Sequence, residues 1–246
     1  MEDPMELFAI TDKGIVRPDN QDSFASEKIG KRSIVVVCDG MGGARAGALA
    51  SNISVRAFME HVRACLTDET QFAPAEVVLA EAAGYANIRV YDRSRTDPDC
   101  RGMGSTLVAA VIDNGTAHVV NVGDSRAYVI SGGKAKQVTH DHSFVQELVD
   151  RGEISPDEAR SHPRKNIITQ ALGSSLSVKP DIFCSELALN DVLLLCSDGL
   201  SNTVAEEEIA EICSHDDSAE SFCRSLIDLA LERGAPDNIT VAVYRA

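Results

Sequence analysis

The 246 residues carry 23 basic against 38 acidic side chains, a formal charge of -15, and 44% of them are hydrophobic. This composition supports a sizeable folded core and opposes binding of the whole molecule to a nucleic-acid backbone or an anionic membrane. No apolar run approaches the ~18 to 20 residues that span a bilayer, and the start, MEDPMELF, lacks the basic and apolar regions of a signal peptide. A cytoplasmic protein with no membrane insertion is therefore expected. Seven cysteines, odd in number and never spaced C-x-x-C, argue against a disulfide framework and a zinc knuckle.

In chain order, strand-like apolar runs fall at residues 5–11, 33–39, 106–112, 117–123, 126–130, 191–197 and 239–245. Hairpin signals, Asp113-Asn114-Gly115 and Ser131-Gly132-Gly133, separate the middle strands and make an antiparallel meander. Amphipathic stretches at 46–65 and 74–93 read as a helix pair between the second and third strands. Ser155-Pro156 starts another helix, and 219–233 forms a last one closed by Gly234. Nothing resembles a linker or an internal repeat, so one domain over residues 1–246 is expected. Two antiparallel sheets stacked face to face and covered by helices would accommodate this order. The polar segment at about 140–165 reads as a flap over the surface.

Aspartates recur at the strand ends. Asp39 follows IVVVC and precedes glycine, Asp198 follows LLLCS and precedes glycine, and Asp237 immediately precedes the last strand. Asp22 lies five residues after Arg17, and Asp124 follows another apolar run. Singly, each is an ordinary turn residue. Two of them, however, terminate strands too apolar to lie anywhere but the core. Carboxylates ~4 Å apart repel by about 4 kcal/mol at an effective dielectric near ~20, so a cluster calls for a counter-cation. Oxygen ligands without histidine or cysteine at ligand spacing favour magnesium or manganese over zinc. The residues alone thus point to a metal-dependent hydrolase or phosphoryl-transfer enzyme.

Seven segments in order, RPDNQDSF, VVVCDGMGG, GMGSTLVAA, NVGDSRAYV, the stretch from DHSFVQELV to IITQALG, LLLCSDGLSN and GAPDNITVAV, closely resemble the metal-dependent protein phosphatases. These are the type 2C serine/threonine protein phosphatases, and the likeness is to their bacterial branch. The resemblance spans nearly the whole chain. It implies an α+β fold, a four-layer α-β-β-α sandwich of two antiparallel sheets flanked by helices, with two Mn2+ or Mg2+ ions at one end. Carried over by position, Asp39 would bridge both metals, the Gly40 carbonyl would bind the second, and Asp198 with Asp237 would complete the first. Asp22 and Gln21 would stand behind the ions and orient water, and Arg17 would grip the substrate phosphate. Catalysis would then rest on Arg17, Asp22 and Asp39, with a water or hydroxide between the metals attacking phosphorus directly.

Five positions depart from the pattern, among them Ala44 and Ala48, which replace a histidine and a glutamate often seen after the glycine turn. Gln21 replaces a frequent glutamate and removes a charge near the second metal. Met41 stands where animal members carry a histidine proposed to protonate the leaving alkoxide. Arg101 stands where an aspartate is common in relatives with a third ion, so a third metal is expected to be weakly held or absent. The implied partners are phosphorylated proteins and a cognate serine/threonine kinase, without nucleic acid, for an enzyme expected to be a monomer. The alternative reading is a pseudophosphatase or phosphopeptide-binding regulatory module on the same fold. A third is an enzyme acting on some other phosphomonoester.

Overall fold

The structure, a computed structural model, describes residues 6–66 and 73–246; Met5, expected to open the first strand, lies outside them. In chain order the elements are β1 Glu6–Asp12, β2 Asp22–Ile29, β3 Arg32–Met41, α1 Ala44–Leu66, α2 Ala75–Thr96 and a 3₁₀ turn at Pro98–Cys100. They continue with β4 Gly104–Ser105, β5 Leu107–Asp113, β6 Thr116–Val122, β7 Arg126–Ser131 and β8 Lys134–Gln137. The flap segment holds α3 Phe144–Asp150 and α4 Pro156–Ser161. The chain then forms β9 Asp181–Glu186, β10 Val192–Cys196, α5 Asp198–Ser201, α6 Glu206–His215, α7 Ala219–Glu232 and β11 Ile239–Arg245.

One sheet runs β2-β3-β5-β6-β9, with β4 beside β3, and the other runs β1-β11-β10-β7-β8. Every neighbouring pair is antiparallel. Because side chains alternate along a strand, each continuously apolar central strand feeds two cores. On β3, Ile34, Val36 and Cys38 pack under α1 and α2, while Val35 and Val37 meet Leu193 and Leu195 of the other sheet. On β10 and β11, Leu194, Cys196, Val241 and Val243 pack under α6 and α7. These layers form the expected α-β-β-α sandwich.

The same alternation sets the function. Asp39 continues the Val35–Val37 row, and Ser197 and Thr240 continue the inward rows of β10 and β11. Polar groups from both sheets therefore face one another at one end of the inter-sheet space. The Leu193–Leu195 row holds that space, and burying each leucine there contributes several kcal/mol. Leu195→Ala is expected to lower the unfolding free energy by about 2 to 5 kcal/mol in urea titration. Leu189→Ala, at a site 72% exposed, is expected to change it by less than about 0.5 kcal/mol.

Candidate active site

Five aspartates gather at this end of the sandwich. Asp22 and Asp39 are direct cross-strand partners on β2 and β3, an arrangement that like charges disfavour. Asp124 follows β6, Asp198 opens α5 immediately after β10, and Asp237 precedes β11. Asp39, Asp124, Asp198 and Asp237 line a cavity of about 290 Å³ together with Arg17, Gln21, Gly40 and Asn238. That is at the lower edge of the ~300 to 1,000 Å³ typical of ligand pockets, a size that suits a phosphorylated side chain better than a large cofactor.

Hydrogen bonds position four of the five aspartates. The Asp39 backbone is clamped by Thr106, whose Oγ1 accepts from Asp39 N at 2.8 Å and whose N donates to Asp39 O at 2.8 Å. Thr106 is held in turn by Ser125 through a hydroxyl pair at 2.7 Å. Asp22 Oδ2 accepts from Ser197 Oγ at 2.7 Å and Thr240 Oγ1 at 2.7 Å, a tie from one sheet to the other. Ser197 precedes α5 but makes no side-chain cap; its hydroxyl donates to Asp22 instead. Asp198 Oδ2 accepts from Asn202 Nδ2 at 3.0 Å. Asp237 Oδ2 meets Arg17 Nη2 at 2.6 Å, which raises the arginine pKa further.

Asn238 anchors the loop that carries Arg17. Its Nδ2 donates to the carbonyls of Lys13 and Asp19, and its Oδ1 accepts from Gln21 N. Close backbone approach explains two glycines. A Cβ on Gly40 would lie 2.0 Å from the Gly47 carbonyl oxygen of α1, and one on Gly199 would lie 2.0 Å from the Asn238 carbonyl oxygen.

Burial drives the electrostatics. It lifts the Asp39 pKa well above the ordinary carboxylate range, reinforced by the charges of Asp22 and Asp198. Burial likewise raises Asp22 to about 7, against the lowering effect of the Thr240 and Ser197 hydroxyls. Asp124 rises to about 8 through burial and the nearby Asp198 and Asp141. Asp198 rises to about 6 through burial and Asp237. Oδ1 of Asp22 and Oδ1 of Asp198 are buried with no hydrogen-bond partner among the described residues. A recess of mutually repelling oxygen donors with unsatisfied lone pairs, lined by neither histidine nor cysteine among the described residues, fits hard divalent cations. The metal expected from the resemblance is therefore compatible with the residues present.

All the sequence-expected site residues lie at this end. Asp39, Gly40, Asp198, Asp237, Arg17 and Gln21 line the cavity, and Asp22 sits directly behind Asp39. Arg101 lies outside this cavity. Arg101 follows the 3₁₀ turn and lines a neighbouring cavity with Asp97 and Met103, and neither it nor Asp97 lines the aspartate cavity. Asp97 is instead paired with Arg93 at 2.6 Å. Asp124 adds a carboxylate to the cavity that the expected set omitted. Asp124 was visible only as one more aspartate after an apolar run; its burial beside Asp198 needed the fold. Thr106, Ser197, Asn238 and Thr240, also absent from the expected set, carry no signal beyond adjacency to a motif aspartate or glycine. Cys38 packs away from Asp39, as strand alternation requires, and Ser125 is a buried partner of Thr106.

The model of the family "Protein phosphatase 2C" matches residues 17–238, so the chain belongs to that family. It is 40% identical over 235 residues to the serine/threonine phosphatase stp of Listeria innocua, covering 94% of this chain and 92% of that one. It superimposes with a TM-score of 0.88 on the crystal structure of the Mycobacterium tuberculosis serine/threonine phosphatase PstP/Ppp, at 36% identity and 98% coverage of both chains. The PstP catalytic domain in complex with two manganese ions aligns with a TM-score of 0.85 at 34% identity, covering 98% of this chain and 97% of that one.

The raised carboxyls carry a pH signature in metal-free protein. Folded-state values near 6, 7 and 8 for Asp198, Asp22 and Asp124 lie above the ordinary ~4 of the unfolded chain. Protonation therefore favours the fold, a contribution complete below about pH 4 and lost as pH rises through these three values. The melting temperature of metal-free protein is expected to rise by at least about 3 °C from about pH 8.5 to about pH 5.5. Adding Mn2+ at about pH 8 should recover most of that rise, since binding stabilises the folded state. A flat profile in thermal denaturation would show that the carboxyls are not coupled in this way.

Proposed function

We propose that this chain is a metal-dependent protein serine/threonine phosphatase that hydrolyses phosphoserine and phosphothreonine in proteins. In this reading it acts as a monomer in cytoplasmic signalling, opposite a cognate serine/threonine kinase, with Mn2+ or Mg2+. The observation that carries the reading is one cavity holding four aspartates and a guanidinium. Asp39, the Gly40 carbonyl, Asp198 and Asp237 are the groups that would hold two divalent ions, and Asp124 offers a further carboxylate beside Asp198. When bound, such ions neutralise phosphoryl charge and acidify the attacking water.

The chain's own residues supply position. Arg17 engages Asp237 through Nη2, which leaves the rest of its fork to grip phosphate oxygens and align phosphorus for in-line attack. Asp22 holds Ser197 and Thr240 through Oδ2, and with them the strand ends that present Asp198 and Asp237. Its Oδ1, without a partner among the described residues, is the atom that would orient water. Gln21, fixed by Asn238, packs its side chain against the start of α1, where a Cβ on Gly47 would lie 2.0 Å from Gln21 Oε1. As water attacks, the bond from phosphorus to the seryl or threonyl oxygen breaks, giving inorganic phosphate and a free hydroxyl. Met41 has no proton to give, so the leaving oxygen takes its proton from solvent.

Hydrolysis of a phosphothreonine peptide tests this reading. Asp237→Asn and Asp198→Ala are expected to cut Mn2+-dependent turnover by at least about 100-fold. Arg17→Ala is expected to lower kcat/KM by about 10- to 100-fold, since it removes one charge-assisted phosphate contact. Metal-independent turnover, or an unimpaired Asp198→Ala, would overturn the mechanism. Binding of the phosphopeptide without any turnover would favour a regulatory module instead.

A further inference from the structure

A second donor cluster lies away from the aspartate cavity. His118 on β6 and Cys184 on β9 are direct cross-strand partners. They share the strand parity of Val120 and Ile182, so they belong to the helix-covered side of their sheet. Glu76, in the first turn of α2, closes over them. His118 lies four residues before Val122, the last residue of β6, which places it about 13 Å along the strand from the cavity end. The three donor atoms form a small triangle: His118 Nδ1 to Glu76 Oε1 is 3.1 Å, Cys184 Sγ to His118 Nδ1 is 3.4 Å, and Cys184 Sγ to Glu76 Oε1 is 3.5 Å.

We propose that Glu76, His118 and Cys184 form a second metal site, selective for a borderline cation, with Zn2+ the ion whose geometry it fits. Tetrahedral zinc, with bonds of ~2.0 to 2.3 Å to nitrogen, oxygen and sulfur, separates its ligands by about 3.3 to 3.6 Å, and the observed triangle is close to one face of that tetrahedron. An atom about 2 Å from all three donors sits just above their plane. No side chain must rotate into place, because a strand pair and a helix turn already hold the ligands. One thiolate and one carboxylate balance the ion's two charges. On binding, the Cys184 thiol gives its proton to solvent and the imidazole proton resides on Nε2, freeing the Nδ1 lone pair. Cys184 is exposed, so a fourth position remains for water. Mixed sulfur, nitrogen and oxygen donors distinguish this site from the oxygen-only cavity, which suits Mg2+ or Mn2+.

A redox role for Cys184 fits less well. Partial desolvation beside Glu76, and the hydrogen bond to it, push its thiol pKa up, the reverse of what makes a cysteine readily oxidised.

Cobalt titration of the full chain, with Mg2+ in excess to occupy the aspartate cavity, tests the proposal. Co2+ gives a sulfur-to-metal charge-transfer band only when a thiolate binds it. The wild type is expected to develop the band with one equivalent of Co2+ and to lose it when Zn2+ is added. Cys184→Ser should abolish it, and His118→Gln should weaken Co2+ and Zn2+ binding by at least about 100-fold, more than the loss of a ligand's hydrogen-bonded neighbour costs. Both variants should keep Mg2+-supported phosphatase activity, which shows that they fold. Cys65→Ser, which alters the other histidine-cysteine-glutamate group, formed with His61 and Glu81, should leave the band unchanged. No band in wild-type protein, a band that survives Cys184→Ser, or a band lost only with Cys65→Ser would each overturn the proposal.

Discussion

The molecule is organised around carboxylates that repel one another and are nevertheless held together. Asp22 and Asp39 face each other across a strand pair, with Asp124, Asp198 and Asp237 gathered around them, and burial raises the cost of charge on Asp22, Asp39, Asp124 and Asp198. A stiff frame holds such groups in one recess, and the apolar strands provide it. Val35, Val37, Leu193 and Leu195 fill the space between the sheets, so the inward rows of both sheets arrive at their ends with little freedom. The Asp22 link to Ser197 and Thr240 then locks one sheet's end to the other's. Stability elsewhere offsets the repulsion here, the usual relation between a functional site and its scaffold.

Much of this was legible in the sequence because alternation along a strand is a strong signal when the strand is fully apolar. IVVVC, LLLC and ITVAV left no doubt about their burial, and a carboxylate at their ends had to lie at the rim of a core. The structure adds strands that the hydrophobic pattern concealed. DSFASEKI forms β2 although it mixes polar and apolar residues, because it is an edge strand with one side toward solvent. KAKQ and DIFCSE are also sheet edges, β8 and β9, and depend on their neighbours for definition. In the flap, α3 and α4 are short and open on Ser143 and Ser155 caps, and α4 has no apolar stripe.

The site itself divides in the same way. Residues that a motif brings together along the chain were readable: Arg17 with Asp22, Asp39 with Gly40. Residues that only the packing brings together were not. Thr240 meets Asp22 across 218 positions, and Asn238 reaches back to pin the Arg17 loop. Arg101 lies outside the cavity for a related reason, because adjacency to the GMGST segment does not imply adjacency to the cavity that segment helps to build. Glu76, His118 and Cys184 illustrate it further: they lie 42 and 66 positions apart along the chain (118 − 76 and 184 − 118), so no spacing rule could join them.

A chain with a charge of -15 has to bind an anion at its most acidic recess. The nearby cations do little to help without metal. Arg126 is tied to Asp141 at 2.7 Å and to the Tyr128 hydroxyl at 3.2 Å, and Arg17 already faces Asp237. Two divalent ions would exchange four negative charges for near-neutrality, after which a single guanidinium can tip the recess toward a phosphate dianion. In the proposed mechanism phosphate recognition would follow metal loading, and the buried Oδ1 atoms of Asp22 and Asp198 are oxygens that no protein group satisfies among the described residues. The frame fixes the donors, and the cations reverse the sign of the field at the point where the substrate arrives.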